Sequence, residues 1–271
     1  MTRWLRRGLY ALTVVACALT AYRASAQQLP PAPTPKLPDA PKMTQKYPGN
    51  DLMGIGPRDL RTTVNQDEMP WRAIGRLTST SGSCTGALIA PALLLTAAHC
   101  VFGGPTKQMV APSSLHFMLG YADGKFKAEA SGVHITVPDD YDPVLSIGTM
   151  GDDWALVQLD HPIGTPDKIL PLSRDPPPVG QEIALGGYAK DHIETLTADL
   201  HCHATGTMLD RKGMPLIRHD CTATHGVSGA PLLYQSQKGW MVVGIEVVAS
   251  MRSGGASVLY NVIAAMDKLP K

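Results

Sequence analysis

Three polar residues of this chain, Ser228, His99 and an aspartate at 152 or 153, are of the types that together break acyl bonds. Ser228 stands in Gly226-Val227-Ser228-Gly229-Ala230-Pro231. Glycines around a serine leave its hydroxyl open to an approaching carbonyl, and the N–H groups of Gly226 and Ser228 can converge there as an oxyanion hole. A neutral hydroxyl is a weak nucleophile, so it needs a base and a group to orient that base. His99 closes the apolar run Leu93-Leu94-Leu95-Thr96-Ala97-Ala98, and Asp152-Asp153 opens the run Trp154-Ala155-Leu156-Val157. Each residue has an ordinary alternative: a turn serine before a strand, a structural histidine beside a cysteine, a capping aspartate. Their joint presence points to nucleophilic catalysis.

The elements that would position them read as strands. Apolar and polar residues alternate over 69–77, and a hairpin over 83–90 and 92–96, turning at Pro91, delivers His99. Further strands are expected over 115–119 and 132–137, followed by a loop over 138–151. Asp153 then enters a strand apolar on both faces, as suits one enclosed in a barrel. After His161-Pro162 a proline-rich stretch runs to Pro178, a crossing between two halves. The second half offers six candidate strands, over 180–188, 197–205, 214–221, 230–234, 240–248 and 256–262. Helical spacing over 263–269 predicts a short C-terminal helix. The expected fold class is all-β, without internal sequence repeats.

The chain has 271 residues, with 24 Lys and Arg against 23 Asp and Glu and a net charge of +1. That balance gives no electrostatic footprint for nucleic acid or an acidic membrane surface. Residues 1–26 read as an export signal: Arg3, Arg6 and Arg7 precede the apolar stretch 8–20, and Ala24-Ser25-Ala26 offers a small-x-small cleavage site. The stretch is short for a membrane span. A competing reading places a lipid on Cys17, after Val14-Val15-Ala16. Residues 27–48 are proline-dominated and poor in apolar side chains, which suits a linker or pro-segment, with the folded domain over 49–271. Export removes Cys17 and leaves Cys84, Cys100, Cys202 and Cys221, an even number that reads as a disulfide framework. The alternative for the last two is a metal site with His201, His203, His219 and His225, since residues separated by one share a strand face. An oxidising compartment favours bridges, so neither metal nor cofactor is expected.

Thr96-Ala97-Ala98-His99-Cys100, then Asp153-Trp154-Ala155-Leu156, then Gly226-Val227-Ser228-Gly229-Ala230-Pro231 resemble the three signatures of the chymotrypsin-like serine proteases. Their order, His before Asp before Ser, separates this family from other folds with the same triad. Pro70-Trp71 followed by Ile74-Gly75 resembles the bacterial, glutamyl endopeptidase-like branch. The resemblance implies two antiparallel six-stranded β-barrels, over about 49–165 and 166–271, with the active site in the cleft between them. It implies His99, Asp153 and Ser228 as the triad, because the apolar-Ala-Leu motif directly follows Asp153 rather than Asp152. It pairs Cys84 with Cys100 across the histidine turn, leaving Cys202 to pair with Cys221. It places Thr222 at the base of the primary specificity pocket and Gly244-Ile245-Glu246-Val247-Val248-Ala249 along its wall, so that Thr222, Glu246 and Val247 contact substrate.

Two departures bear on function. Val227 occupies the position where digestive proteases carry an aspartate that pairs with a newly cut amino terminus. Glu246 stands where glutamyl endopeptidases carry a histidine that helps hold a substrate carboxylate. An ionised Glu246 facing the pocket would favour basic or small uncharged side chains over acidic ones; a Glu246 bonded to a neighbouring histidine is the alternative. The expectation is an exported, monomeric serine endopeptidase acting on polypeptides, periplasmic or secreted. The competing class is an inactive binding protein on the same fold.

Overall fold

The computed structural model describes residues 53–56, 58–80, 82–249, 254–258 and 262–263. The expected signal, the Cys17 site and the proline-rich segment lie outside them. Six strands close the first barrel: β2 (Ile74–Ser79), β3 (Gly82–Ala90), β4 (Leu93–Thr96), β5 (His116–Leu119), β6 (Ala128–Thr136) and β7 (Ala155–Leu159), in the order β2-β3-β4-β7-β6-β5. Buried Leu88, Leu94, Phe117, Leu119 and Val157 fill it.

The second barrel is built from β8 (Glu182–Gly187), β9 (Thr197–Leu209), β10 (Pro215–His219), β11 (Pro231–Ser236), β12 (Gly239–Ala249) and β13 (Gly254–Val258). Antiparallel pairing runs β9-β10-β13-β12-β11-β8, and the β8–β9 ladder closes the ring. Its interior holds Ile183, Leu185, Ile217, Val227, Leu232 and Val243. A two-residue strand, β1 (Thr62–Thr63), adds to β9 opposite Ala198 and Thr197. No alternation in residues 50–65 announces it.

The differences from expectation lie at element ends. The first expected strand opens instead as a 3-10 turn over Trp71–Ala73, in which the Ala73 N–H returns to the Pro70 carbonyl at 3.1 Å. Burial of Trp71 rather than strand periodicity sets its conformation there. Asp153 is not in a strand. It follows a 3-10 turn over Met150–Asp152 and stands two residues before the start of β7. The C-terminal helix expected over 263–269 lies, beyond Ile263, outside the described residues. Among the described residues no helix is long and apolar enough to cross a membrane.

Candidate active site

β4 ends at Thr96, and a 3-10 turn over Ala98–Val101 carries the half-buried His99. Asp153 grips this residue twice: Oδ1 accepts the His99 backbone N–H at 2.8 Å, and Oδ2 lies 2.7 Å from Nδ1. Two bonds to one residue orient the ring and place a proton on Nδ1, leaving Nε2 free to accept. The aspartate side chain is 3% exposed and the histidine 32%. Burial opposes the charged imidazole, but the Asp153 charge and hydrogen bond, with a further contribution from Glu246, raise the His99 pKa above its usual 6.5.

Asp152 is buried away from this pair. Its carboxyl is pushed above the usual range by burial, then by Asp140 and Asp210, with Lys212 opposing. A 3-10 turn over Met150–Asp152, rather than a strand, separates the two aspartates.

Ser228 is half-buried on the loop before β11. Its carbonyl accepts the Thr85 N–H at 2.9 Å, which ties the loop to β3. Gly229, at φ +80°, sits so close to the end of β4 that a Cβ would come 2.1 Å from Thr96 Oγ1 and 2.8 Å from the Ala97 nitrogen. Only glycine allows that approach, which brings the serine loop beside the histidine turn. Among the described residues no hydrogen bond joins Ser228 Oγ to His99 Nε2, a contact that often tightens only with substrate bound. Nor, among them, do the N–H groups of Gly226 and Ser228 reach a protein acceptor.

Disulfides join Cys84 to Cys100 and Cys202 to Cys221, with Cα atoms 6.1 and 4.8 Å apart. The second bridge takes both thiols of the alternative metal set, while His201 is exposed beside Glu182 and His219 is buried with Glu246. The His/Cys group is therefore not assembled as ligands.

Glu246 brackets the serine loop through its backbone: its carbonyl accepts the Gly229 N–H at 2.8 Å and its N–H donates to Ala230 O at 2.9 Å. Its side chain meets His219, with Nε2 and Oε2 2.7 Å apart and both side chains almost wholly buried. Among the described residues Oε1 has no hydrogen-bond partner. Val247 follows at a bulge in the β12–β13 ladder and packs with the apolar cluster of the first barrel. Thr222 donates its N–H to Asp199 Oδ2 at 2.9 Å. Asp199, Thr85 and Asp210 were not signalled by the sequence, and His219 was signalled only as a candidate metal ligand, since each has a partner distant in the chain.

The Trypsin family model matches residues 61–269. The chain belongs to the trypsin family. Among relatives of this trypsin-family chain, the glutamyl endopeptidase of Bacillus licheniformis is 25% identical over 199 residues, 72% of this chain and 59% of that protein. The inactive serine protease scarface of Drosophila melanogaster is 27% identical over 172 residues, 62% of this chain and 24% of that protein. The chain thus spans less than two thirds of the length of either relative. A solved structure of a Glu endopeptidase in complex with MPD shares the fold, with a TM-score of 0.63 and 24% identity, over 77% of this chain and 96% of that one.

Proposed function

We propose that the chain is an exported serine endopeptidase, its peptidase domain spanning 49–271 behind a signal over 1–26 and a linker or pro-segment over 27–48. The observation that carries this reading is the double grip of Asp153 on His99, which supplies an oriented base beside the serine loop. Ser228 Oγ attacks the scissile carbonyl while His99 Nε2 takes its proton. Asp153 stabilises the imidazolium, and the Gly226 and Ser228 N–H groups receive the oxyanion. His99 returns the proton to the departing amine, breaking the C–N bond and leaving an acyl-Ser228. Water, deprotonated by His99, then releases the acid.

The lack of a His99–Ser228 hydrogen bond among the described residues and the inactive relative favour a second reading, a binding protein that retains the triad residues. Fluorophosphonate treatment separates them. The endopeptidase reading expects a covalent adduct at Ser228, absent in Ser228→Ala; a folded wild-type protein that stays unlabelled refutes it.

Specificity follows from Glu246. The Cys221 N–H approaches His219 Nδ1 at 3.3 Å, so Nδ1 accepts and Nε2–H donates to Glu246. His219 thus meets Glu246 as a hydrogen-bond donor, and among the described residues Oε1 has no donor. Such a pocket wall disfavours Glu or Asp before the scissile bond and accepts basic or small uncharged residues. Peptide-library profiling tests this: preferred cleavage after Glu, or a preference unchanged in Glu246→Gln, contradicts it.

A further inference from the structure

Neutral hydrogen bonds hold the loop before Ser228 from two sides. The His225 carbonyl accepts the Lys190 N–H at 2.7 Å, and the Gly226 carbonyl accepts the Thr85 hydroxyl at 2.9 Å. Thr85 is fully buried, and its hydroxyl oxygen in turn accepts the Tyr188 N–H at 2.9 Å. Its backbone is engaged as well: the N–H donates to Ser228 O at 2.9 Å, and the carbonyl accepts the Thr96 hydroxyl at 2.8 Å. One residue of β3 therefore touches the strand leading to His99, the segment after β8 and the nucleophile loop.

The Lys190 bond fixes the direction of the Gly226 N–H, and the Thr85 bond holds the Gly226–Val227 peptide, which links the two peptides that carry the oxyanion donors. In a trans peptide the carbonyl and the following N–H point to opposite sides. With the His225 carbonyl drawn to Lys190, the Gly226 N–H of the same peptide faces the other way. A flip of that peptide would instead aim the His225 carbonyl at the space an oxyanion must occupy. Gly226, at φ +93°, accommodates the held conformation, since a Cβ there would lie 2.3 Å from the Tyr188 carbonyl. Gly187 makes room on the far side; its Cβ would come 2.6 Å from Thr85 Oγ1 and 3.2 Å from Val227 Cγ1. Val227 itself is 3% exposed within the apolar cluster of the second barrel, leaving no charge there for an amino terminus to pair with.

We propose that Thr85 is a positioning residue whose hydroxyl, by holding the Gly226–Val227 peptide between the two donor peptides, keeps the Gly226 and Ser228 N–H pair aimed at the oxyanion without any newly cut amino terminus. The inference rests on the serine endopeptidase reading. Removing the hydroxyl takes this partner from the Gly226 carbonyl and the Tyr188 N–H and so removes one restraint on the loop, whereas serine at this position keeps both bonds.

The test compares purified Thr85→Val, Thr85→Ser and wild-type protein by steady-state peptide hydrolysis, fluorophosphonate inactivation rate and thermal midpoint. Misplacing a donor pair costs a large part of what deleting one donor costs. Thr85→Val is expected to lower kcat and the inactivation rate together by about 10- to 100-fold, with KM within about threefold of wild type. Thr85→Ser is expected to stay within about threefold of wild type in all three parameters. A folded Thr85→Val with wild-type kcat overturns the proposal, as does a loss expressed in KM alone. If Thr85→Val does not fold, Thr85→Ala against Thr85→Ser makes the same test, and equal kcat in those two overturns it. Wild-type protein that fails to react with the fluorophosphonate overturns the endopeptidase reading and this inference together; a reactive wild type beside an equally reactive Thr85→Val overturns the inference alone.

Discussion

At the scale of single residues, the environment of His99 dictates the pH response. Burial disfavours its charged form, but Asp153 outweighs burial and Glu246 adds to the effect, so the proton is held more tightly than in a free histidine. The base works only when neutral. Activity is therefore expected to rise with pH through a midpoint above 6.5, and the acid limb of kcat/KM should move downward when the aspartate charge is removed. Asp153→Asn should lower that limb and reduce kcat by about 10⁴-fold, because an amide favours the wrong tautomer. Asp152→Asn should stay within about threefold of wild type, since its carboxyl does not reach the histidine. pH-rate profiles of the two variants check both statements; a larger loss in Asp152→Asn would reverse the assignment. The proposed triad residues stand out in the sequence because each sits in a short local motif. Glu246 was legible only as a pair of alternatives, because its partner His219 lies 27 residues away and only the fold brings it near.

At the scale of elements, the segment that carries Asp153 has no ladder of its own and is held by the β9–β10 hairpin. Asp210, in that hairpin turn, accepts the Gly151 N–H at 3.0 Å with Oδ2 and the Lys212 and Met214 N–H groups at 2.8 and 2.9 Å with Oδ1. Gly151 fits there because a Cβ would come 2.3 Å from Met214 Cβ. Asp210→Ala leaves three donors without their acceptor and is expected to cost roughly 2 kcal/mol of stability. Denaturant titration, with kcat measured alongside, checks this; unchanged stability would show that the hairpin does not support the loop. Strand positions were largely legible from alternation and proline turns, while ends were not. β6 begins at Ala128 rather than at 132, and β9 runs on to Leu209. Strand length depends on which neighbour supplies the ladder, and the partner of β1, 135 residues or so further on, leaves no local trace in residues 50–65.

At the scale of the molecule, each closed barrel carries one bridge. The separations of 16 and 19 residues correspond to about 3 kcal/mol of stabilisation each, chiefly by restricting the unfolded chain. Paired replacement of Cys202 and Cys221 by serine should lower unfolding stability by about 2–4 kcal/mol with modest change in activity. Replacing Cys84 and Cys100 should cost a similar amount and also reduce kcat, because that bridge anchors the His99 turn to β3. Equal activity in the two double variants would argue against that anchoring role. The central claim is that the two barrels together form a base-activated serine that passes through an acyl intermediate. Its most direct measurement is rapid mixing with an activated ester, with the released alcohol counted per chain and the protein mass followed in time. The account predicts a burst approaching one equivalent, an acyl group mapped to Ser228, and loss of both in Ser228→Ala. Folded, disulfide-bonded wild-type protein that gives neither burst nor acylated Ser228 would contradict it.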